Sequence, residues 1–427
     1  MRRRIGRALQ VGGVVLCVAY FLVTAATAPP LHAGDESPEV LVGAMGAGWD
    51  GTVTQYDASG VVWQHTTRGS HNDVQRINDS AVLATVTVPK GDCGQFADCD
   101  HTGVQILRTD GDRPRVSWEW TFPVKTARHS EVHDAELLAD GDVVLADMDR
   151  ERLLRVDRET GEIVWEWHAS EFYEPPAEPL ERDWLHINDV DRLGPGRYLV
   201  SVRNANQVLV VERGSGVVDV INRDDGGDDE SCQRGPWLAD SDGDGDVRCG
   251  DPAVFANQHN PQWLGPGRVL VADSGNDRVV ELREGADGNW SVVWTVERAN
   301  GVALKWPRDA DRLRSGQTVI ADTWNRRVVS VRPNGSVAWS HDAPPRVYEA
   351  DVGGREYPAG PPVGRSGTVT GTTGQPLGLS ETIYTVVRTQ IGLPYWVSSW
   401  HVTVVLAGGV LALAGTVLRR LAARRGE

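Results

Sequence analysis

Along most of the chain, apolar and polar residues alternate in short runs broken by turn residues. HDAELLADGDVVLAD (133–147), HNPQWLGPGRVLVAD (259–273) and RDADRLRSGQTVIAD (308–322) each give an apolar run, a glycine-containing turn and a β-rich run ending in Asp. HNDVQRINDSAVLAT (71–85) and NDVDRLGPGRYLVSV (188–202) fit the same frame. Alternation with period two marks half-buried strands. Most copies continue into a second pair of strands ending in an apolar-x-Trp step, as in RVDRETGEIVWEW (155–167) and VVSVRPNGSVAW (328–339). Four short strands per unit, without a helical period, predict an all-β fold, a six-bladed β-propeller over residues 38–342. Five units are clear; the partial one from Pro38 to His65 needs late strand material to close the ring and leave no bare edge. Seven blades is the alternative count.

Two stretches depart from the pattern. In residues 1–28, MRRRIGR precedes the apolar run Leu9 to Ala28, either a signal peptide ending at the small residues Ala26-Thr27-Ala28 or a retained anchor. Residues 395–418 are apolar for long enough to cross a bilayer and lead into the basic tail 419–427. Both basic flanks lie outside the intervening region, so the positive-inside rule predicts cytoplasmic ends and a propeller outside the cytoplasm. Between them, residues 343–394 read as a Pro/Gly-rich tether, with a short helix expected from Ser380 to Ile391.

Composition adds a setting. The net charge is −16 and only three residues are lysine (Lys90, Lys125, Lys305), an acid-rich surface suited to salty media. The same balance, with no basic stripe, argues against nucleic acid as a partner. Outside the first apolar run the cysteines form two close pairs, Cys93/Cys99 and Cys232/Cys249, which in an exported chain predict two local disulfides. The acidic stretch LADSDGDGDVRCGD sets Asp240, Asp242, Asp244, Asp246 and Asp251 at the spacing of a calcium loop, the competing reading being a solvated acidic insertion.

Candidate chemistry follows from the repeat. In a propeller the first strand of each blade lines the central channel, so equivalent positions share one height. In this frame they are His71, His133, Asn188, His259 and Arg308, with His186 two residues ahead of Asn188 on the same face. Hairpin geometry around Pro195 returns Arg203 to the level of His186. Imidazoles beside a guanidinium suit an oxyanion such as sulfate, phosphate or carboxylate. The competing reading of the imidazoles is a zinc or copper site, which Arg203 would oppose with its charge.

These residues resemble the arylsulfotransferase family of exported, PAPS-independent enzymes. The likeness rests on Asp183-Trp184-Leu185-His186-Ile187-Asn188, Ser201-Val202-Arg203, Gln258-His259 and His133-Asp134, over roughly residues 125–340. It implies transfer of a sulfuryl group from a phenolic sulfate ester to a phenol acceptor, without an organic cofactor; the ion expected is at most structural calcium. In that family's terms His259 would be the nucleophile, His186 and Arg203 would hold the sulfate oxygens, and His133 would serve proton transfer or transition-state support. From their place in the repeat, Asn188, His71 and Arg308 are expected to complete the substrate site. The sequence departs from the family where Asp273-Ser274-Gly275-Asn276 stands in place of an Asp-Asn-Gly strand end. The alternative function is a non-catalytic propeller binding a ligand or protein at the cell surface, since VLVADSGNDRVVEL resembles an NHL repeat.

Overall fold

Alternation sorts each strand between two neighbours. In the first strand, Val40–Ala44, Val40 and Val42 pack toward one side while Leu41 packs toward the other. The computed structural model describes residues 1–30, 37–45, 50–89, 93–94, 99–124, 130–223, 238, 248–353, 367–369, 378–390 and 393–425. Six sheets of antiparallel strands carry the repeat. Their inner strands are Val347–Asp351 (blade 1), Val74–Asn78 (blade 2), Val132–Leu137 (blade 3), Ile187–Gly194 (blade 4), His259–Gly265 (blade 5) and Pro307–Arg312 (blade 6).

Six hydrophobic clusters among the described residues join the blades, one at each interface of the ring. Leu83 and Leu145 meet between blades 2 and 3, Leu199 and Val271 contribute between blades 4 and 5, and Ile320 and Leu270 between blades 5 and 6. Each such side chain, fully buried, is worth about 1.5–3 kcal/mol of transfer free energy. The packing between sheets is therefore mainly apolar, with buried ion pairs such as Arg312–Glu281 set into it.

The blade count is six. Closure comes from Val347–Asp351, which pairs with Val40–Ala44 in the register Leu41↔Asp351, Val42↔Ala350, Gly43↔Glu349. This corrects the expected boundary: the propeller does not end at residue 342, and part of the expected tether is its innermost strand. Five strand residues between Pro344-Pro345 and Gly353-Gly354 are masked in the sequence by the turn formers on either side. A further short strand, Gly367–Val369, adds in parallel to the outer edge of blade 5.

Cys93 and Cys99 form a disulfide. Cys249 is disulfide-bonded, while Cys232 lies outside the described residues. Asp240, Asp242, Asp244 and Asp246 also lie outside them; Asp251 is exposed and accepts a bond from the Ala253 N–H.

A second unit comprises Met1–Pro30, Asn300–Val302 and Gly371–Glu427. Its helices are Arg2–Ala26, Gly378–Gln390 and Ser399–Arg424, and the first and last are long and apolar enough to cross a membrane. The middle one coincides with the helix expected from Ser380.

Candidate active site

The channel is built on a ring of carboxylates. Asp73, Asp134 and Asp309 each reach to the next inner strand and accept a backbone N–H, from Ala135 (3.3 Å), Val190 (2.7 Å) and Ala350 (3.1 Å). These bonds fix which residues are equivalent. The position before Asp73, Asp134, Asp189, Asn260, Asp309 and Glu349 is Asn72, His133, Asn188, His259, Arg308 and Tyr348 in blades 2, 3, 4, 5, 6 and 1, with Asn260 standing where the other blades carry an acid. Four members of this set were expected from the repeat. His71 is not one of them: it sits one residue early, so its side chain turns away from the row. Its Nδ1 bonds the Thr85 carbonyl (2.7 Å) and its Nε2 meets Thr67 Oγ1 (3.1 Å), deep inside the protein. Asn72 takes its place and donates its amide to His133 Nδ1 (3.1 Å).

Two residues upstream, the chain turns sharply into the row. His186, Asn257, Trp306 and Arg346 all adopt left-handed backbone, with φ of 57°, 47°, 52° and 58°. For residues with a Cβ this conformation costs about 1–2 kcal/mol, and its recurrence at a channel mouth is how folds hold functional side chains. In blade 4 the compensation is visible. The buried Glu151 carboxyl accepts three consecutive N–H groups, from Leu185 (3.0 Å), His186 (2.7 Å) and Ile187 (2.9 Å). Burial pushes the Glu151 carboxyl up to about 8, against the pull of those three donors.

His186 and Arg203 meet as the hairpin requires. Ile187 pairs with Val202, and Arg203 opens the single-turn helix that follows. Arg203 Nη1 donates to His186 Nε2 (2.8 Å), and His186 Nδ1 faces Asp183 Oδ1 (2.7 Å). The acid and the guanidinium together fix the neutral Nδ1–H tautomer of His186.

The rings form an arc around the axis. His186 lies 5.0 Å from His133 between centroids, His133 stacks on Tyr348 at 5.3 Å, and Tyr348 stands edge-on to His259 at 5.5 Å. The Arg308 guanidinium lies 5.0 Å from the centre of the Tyr348 ring. Burial, reinforced by neighbouring His186, Arg203 and Arg308, holds the His133 imidazole well below its usual range. Burial, then Arg308 and Arg203, does the same to His259. Both are neutral near pH 7. Burial also pulls Arg308 down to about 10, which leaves it charged.

His259 is held in one tautomer. Its Nδ1 faces the Asn257 carbonyl (3.0 Å) and Ser274 Oγ (2.8 Å), and the Ser274 hydroxyl donates to the Pro307 carbonyl (2.5 Å). A carbonyl only accepts, so Nδ1 carries the proton and Nε2 keeps its lone pair. That Nε2 makes no hydrogen bond among the described residues. Gln258, just before it, donates to the Val202 (3.1 Å) and Gln207 (2.8 Å) carbonyls, and its own carbonyl accepts the Asn188 amide (2.8 Å). The Gln-His pair is thereby clamped to the blade that carries His186 and Arg203.

Around the same arc lie buried donors that no group among the described residues satisfies: His133 Nε2, Tyr348 Oη, Arg308 Nε and Nη1, and the Trp306 indole nitrogen. Because Asn72 donates to His133 Nδ1, the His133 Nε2 carries a proton to give. Buried donors left open cost free energy unless an acceptor-rich group completes them. An anion with several oxygens is such a group, and donors fixed before it arrives favour charge developing in a transition state.

The described residues hold one group of ligand atoms close enough to share an ion, Asp309, Asp311 and Glu349, and it contains no histidine. Both nitrogens of His186 are already engaged, and Glu349 accepts the Asn260 amide.

Two residues escaped the sequence reading. Tyr348 stands in YEAD (348–351), which matches RDAD (308–311) once the last strand is assigned to the ring. Ser274 starts the same single-turn helix in blade 5 that Arg203 starts in blade 4, so equivalence with Arg203 was its available signal.

The family model for arylsulfotransferase (ASST) matches residues 47–297. The chain belongs to the arylsulfotransferase family. This membership supports an arylsulfotransferase-like function and phenolic substrates in general. No curated protein matches the sequence. Solved structures similar to this arylsulfotransferase-family chain include a protein of unknown function from Bacteroides caccae, at 15% identity and a TM-score of 0.47, covering 74% of this chain and 98% of that one. A functionally unknown protein from Desulfotomaculum acetoxidans follows at 12% identity and a TM-score of 0.39, covering 73% and 83%. A catalytically inactive virginiamycin B lyase from Staphylococcus aureus, crystallised with quinupristin, stands at 10% and 0.37, covering 74% and 87%.

Proposed function

We propose that the protein moves a sulfuryl group from a phenolic sulfate ester to a phenol acceptor through a covalent intermediate on His259 Nε2. The observation that carries this reading is the fixed tautomer of His259: Nδ1–H is tied to Asn257 and Ser274, and the free Nε2 lone pair shares the arc with buried donors that lack acceptors. In the first half-reaction Nε2 attacks the ester sulfur, an N–S bond forms and the S–O bond to the aryl group breaks. The phenolate leaves and takes up a proton. In the second, an acceptor phenol gives up its proton, its oxygen attacks the sulfur, and the N–S bond breaks. The turnover is proton-neutral, and splitting the transfer in two lowers each barrier.

Arg203, Arg308 and the Tyr348 hydroxyl supply donors to the three sulfuryl oxygens, whose negative charge is largest in the transition state. His186 aligns the Arg203 fork. His133, with its Nε2–H, hydrogen-bonds the aryl oxygen as it departs and as its successor arrives. No organic cofactor takes part. The basic flanks of the two terminal helices favour a propeller held outside the cytoplasm on a membrane anchor.

The test incubates the full-length protein in detergent, at high salt, with a chromogenic aryl sulfate and a phenol acceptor. Release of the donor phenol, dependent on acceptor and abolished by His259→Ala, is the expected result. No release by the wild type across several donors overturns the reading.

A further inference from the structure

The two terminal helices are fitted to each other residue by residue. Arg2–Ala26 and Ser399–Arg424 run antiparallel in one unit. Gly6 lies against Gly415 and Gly13 against Gly408, each pair two helical turns from the next. A Cβ on Gly6 would lie 2.6 Å from the Gly415 carbonyl oxygen, and one on Gly13 would lie 2.5 Å from that of Gly408. Gly12 and Gly409, one position away, face open space, so the tight fit is confined to the seam. Each of these close backbone approaches therefore falls on a glycine from both sides, Gly6 on Gly415 and Gly13 on Gly408, which is how helices pack in lipid.

Polar groups match along the same seam. Gln10 Nε2 donates to Thr416 Oγ1 (2.7 Å), and Arg419 Nη1 donates to Gln10 Oε1 (2.6 Å). Cys17 Sγ reaches the Val404 carbonyl (3.6 Å). At the far end His401 is enclosed by Phe21, Tyr20 and Trp396, with ring centroids at 4.7, 4.9 and 5.6 Å. Its Nδ1 accepts the Ser398 N–H (3.0 Å), so Nε2 carries the proton and donates it to Thr24 Oγ1 (2.8 Å). Thr24 in turn donates to the Tyr20 carbonyl (2.8 Å). Beyond Ala26-Thr27-Ala28, the Tyr395 hydroxyl donates to the Pro29 carbonyl (2.8 Å).

We propose that the N-terminal helix remains in the mature protein as a second membrane-spanning helix, paired permanently with the C-terminal helix, and is not removed as a leader. Cleavage at the small residues 26–28 would leave His401 with an unpaired N–H and Gly408 and Gly415 lining an empty groove in hydrocarbon, where polar groups must be satisfied internally. A leader discarded on export needs no such match to a helix made last.

The test needs no catalytic activity, so it stands or falls apart from the sulfuryl-transfer reading. The intact mass of the wild-type full chain, purified from membranes, should include residues 1–28. A mature chain beginning near Pro29 overturns the proposal. In the full-length V404C variant, mild oxidation should join Cys17 to the new thiol within one chain, as read by mass spectrometry of the linked peptides. V410C, on an exposed face of the same helix, should not join. Gly13→Leu added to V404C should lose most of the link. Linkage to V410C in preference to V404C would also overturn it.

Discussion

His71 and His259 sit in similar stretches, HNDVQR in blade 2 and HNPQWL in blade 5, yet one is buried scaffold and the other the candidate nucleophile. The difference is one residue of register. In blade 2 the carboxylate that bonds the next strand is Asp73, which makes Asn72 the channel residue; in blade 5 the corresponding place of the acid is taken by Asn260, which leaves His259 on the axis. A strand presents alternate residues to opposite sides, so a single-residue offset exchanges channel for interior. His71 then spends both nitrogens on Thr85 and Thr67, whereas His259 spends only Nδ1. A repeated histidine has a role only once its register is known.

The sharpest way to break this comparison is to truncate both. His259→Ala is expected to lower kcat by at least about 10³-fold with the fold intact, since no other residue can form the intermediate. His71→Ala is expected to leave kcat near wild type while lowering Tm, by a cost of about 2–3 kcal/mol for a buried ring with two hydrogen bonds. Turnover and thermal melts of the two variants, run together, decide it. Loss of activity with unchanged Tm in His71→Ala would reverse the assignment.

Arg203→Ala tests the hairpin that faces the nucleophile. Removing a preorganised donor to a developing oxyanion is expected to cost about 10²–10³-fold in kcat, with a smaller change in KM. Arg203→Lys should recover only part of this, because the ammonium cannot replace the fork aligned by His186 and Asp183.

Acid separates the two histidines a third way. Burial holds His71 down at about 4 in the folded protein, against an ordinary value of 6.5. The unfolded chain therefore binds more protons than the folded one between those values, and stability falls as pH drops through that window. The His71 contribution is complete above about 6.5 and its loss approaches about 3 kcal/mol near pH 4. Urea melts across the window should show the slope, and His71→Ala should reduce it. His259 is also held well below 6.5, by burial, Arg308 and Arg203, so catalysis should persist at about pH 5.5, where an ordinary imidazole is mostly protonated.

Ser274→Ala is the mildest test. It removes one of two acceptors on His259 Nδ1 and leaves the Asn257 carbonyl, so kcat is expected to fall by roughly tenfold or less.

The propeller was legible because its code is periodic: the Asp-ended hairpins and the Trp steps recur, and one interface cluster follows from each recurrence. Most of the candidate site's arrangement was legible for the same reason, since His133, Asn188, His259 and Arg308 occupy one place in the repeat, and Arg203 follows from the length of its hairpin. What escaped depended on contacts between blades. Tyr348 lies on a strand recognisable only through its pairing with Val42 and Gly43, far away in the chain. The misplacement of His71 came from aligning blades on histidine, when the acids that bridge one inner strand to the next set the register. The glycine seam of the terminal helices was hidden in the same way, because each half reads alone as an ordinary apolar segment.

The central claim is that His259 Nε2 carries the sulfuryl group. Full-length protein incubated with an aryl sulfate and no acceptor, quenched under alkaline conditions and digested, should yield one modified peptide bearing a single sulfuryl group on His259, lost when a phenol acceptor is added before the quench. A sulfuryl group on any other residue, or donor turnover with His259 unmodified and His259→Ala still active, would contradict it.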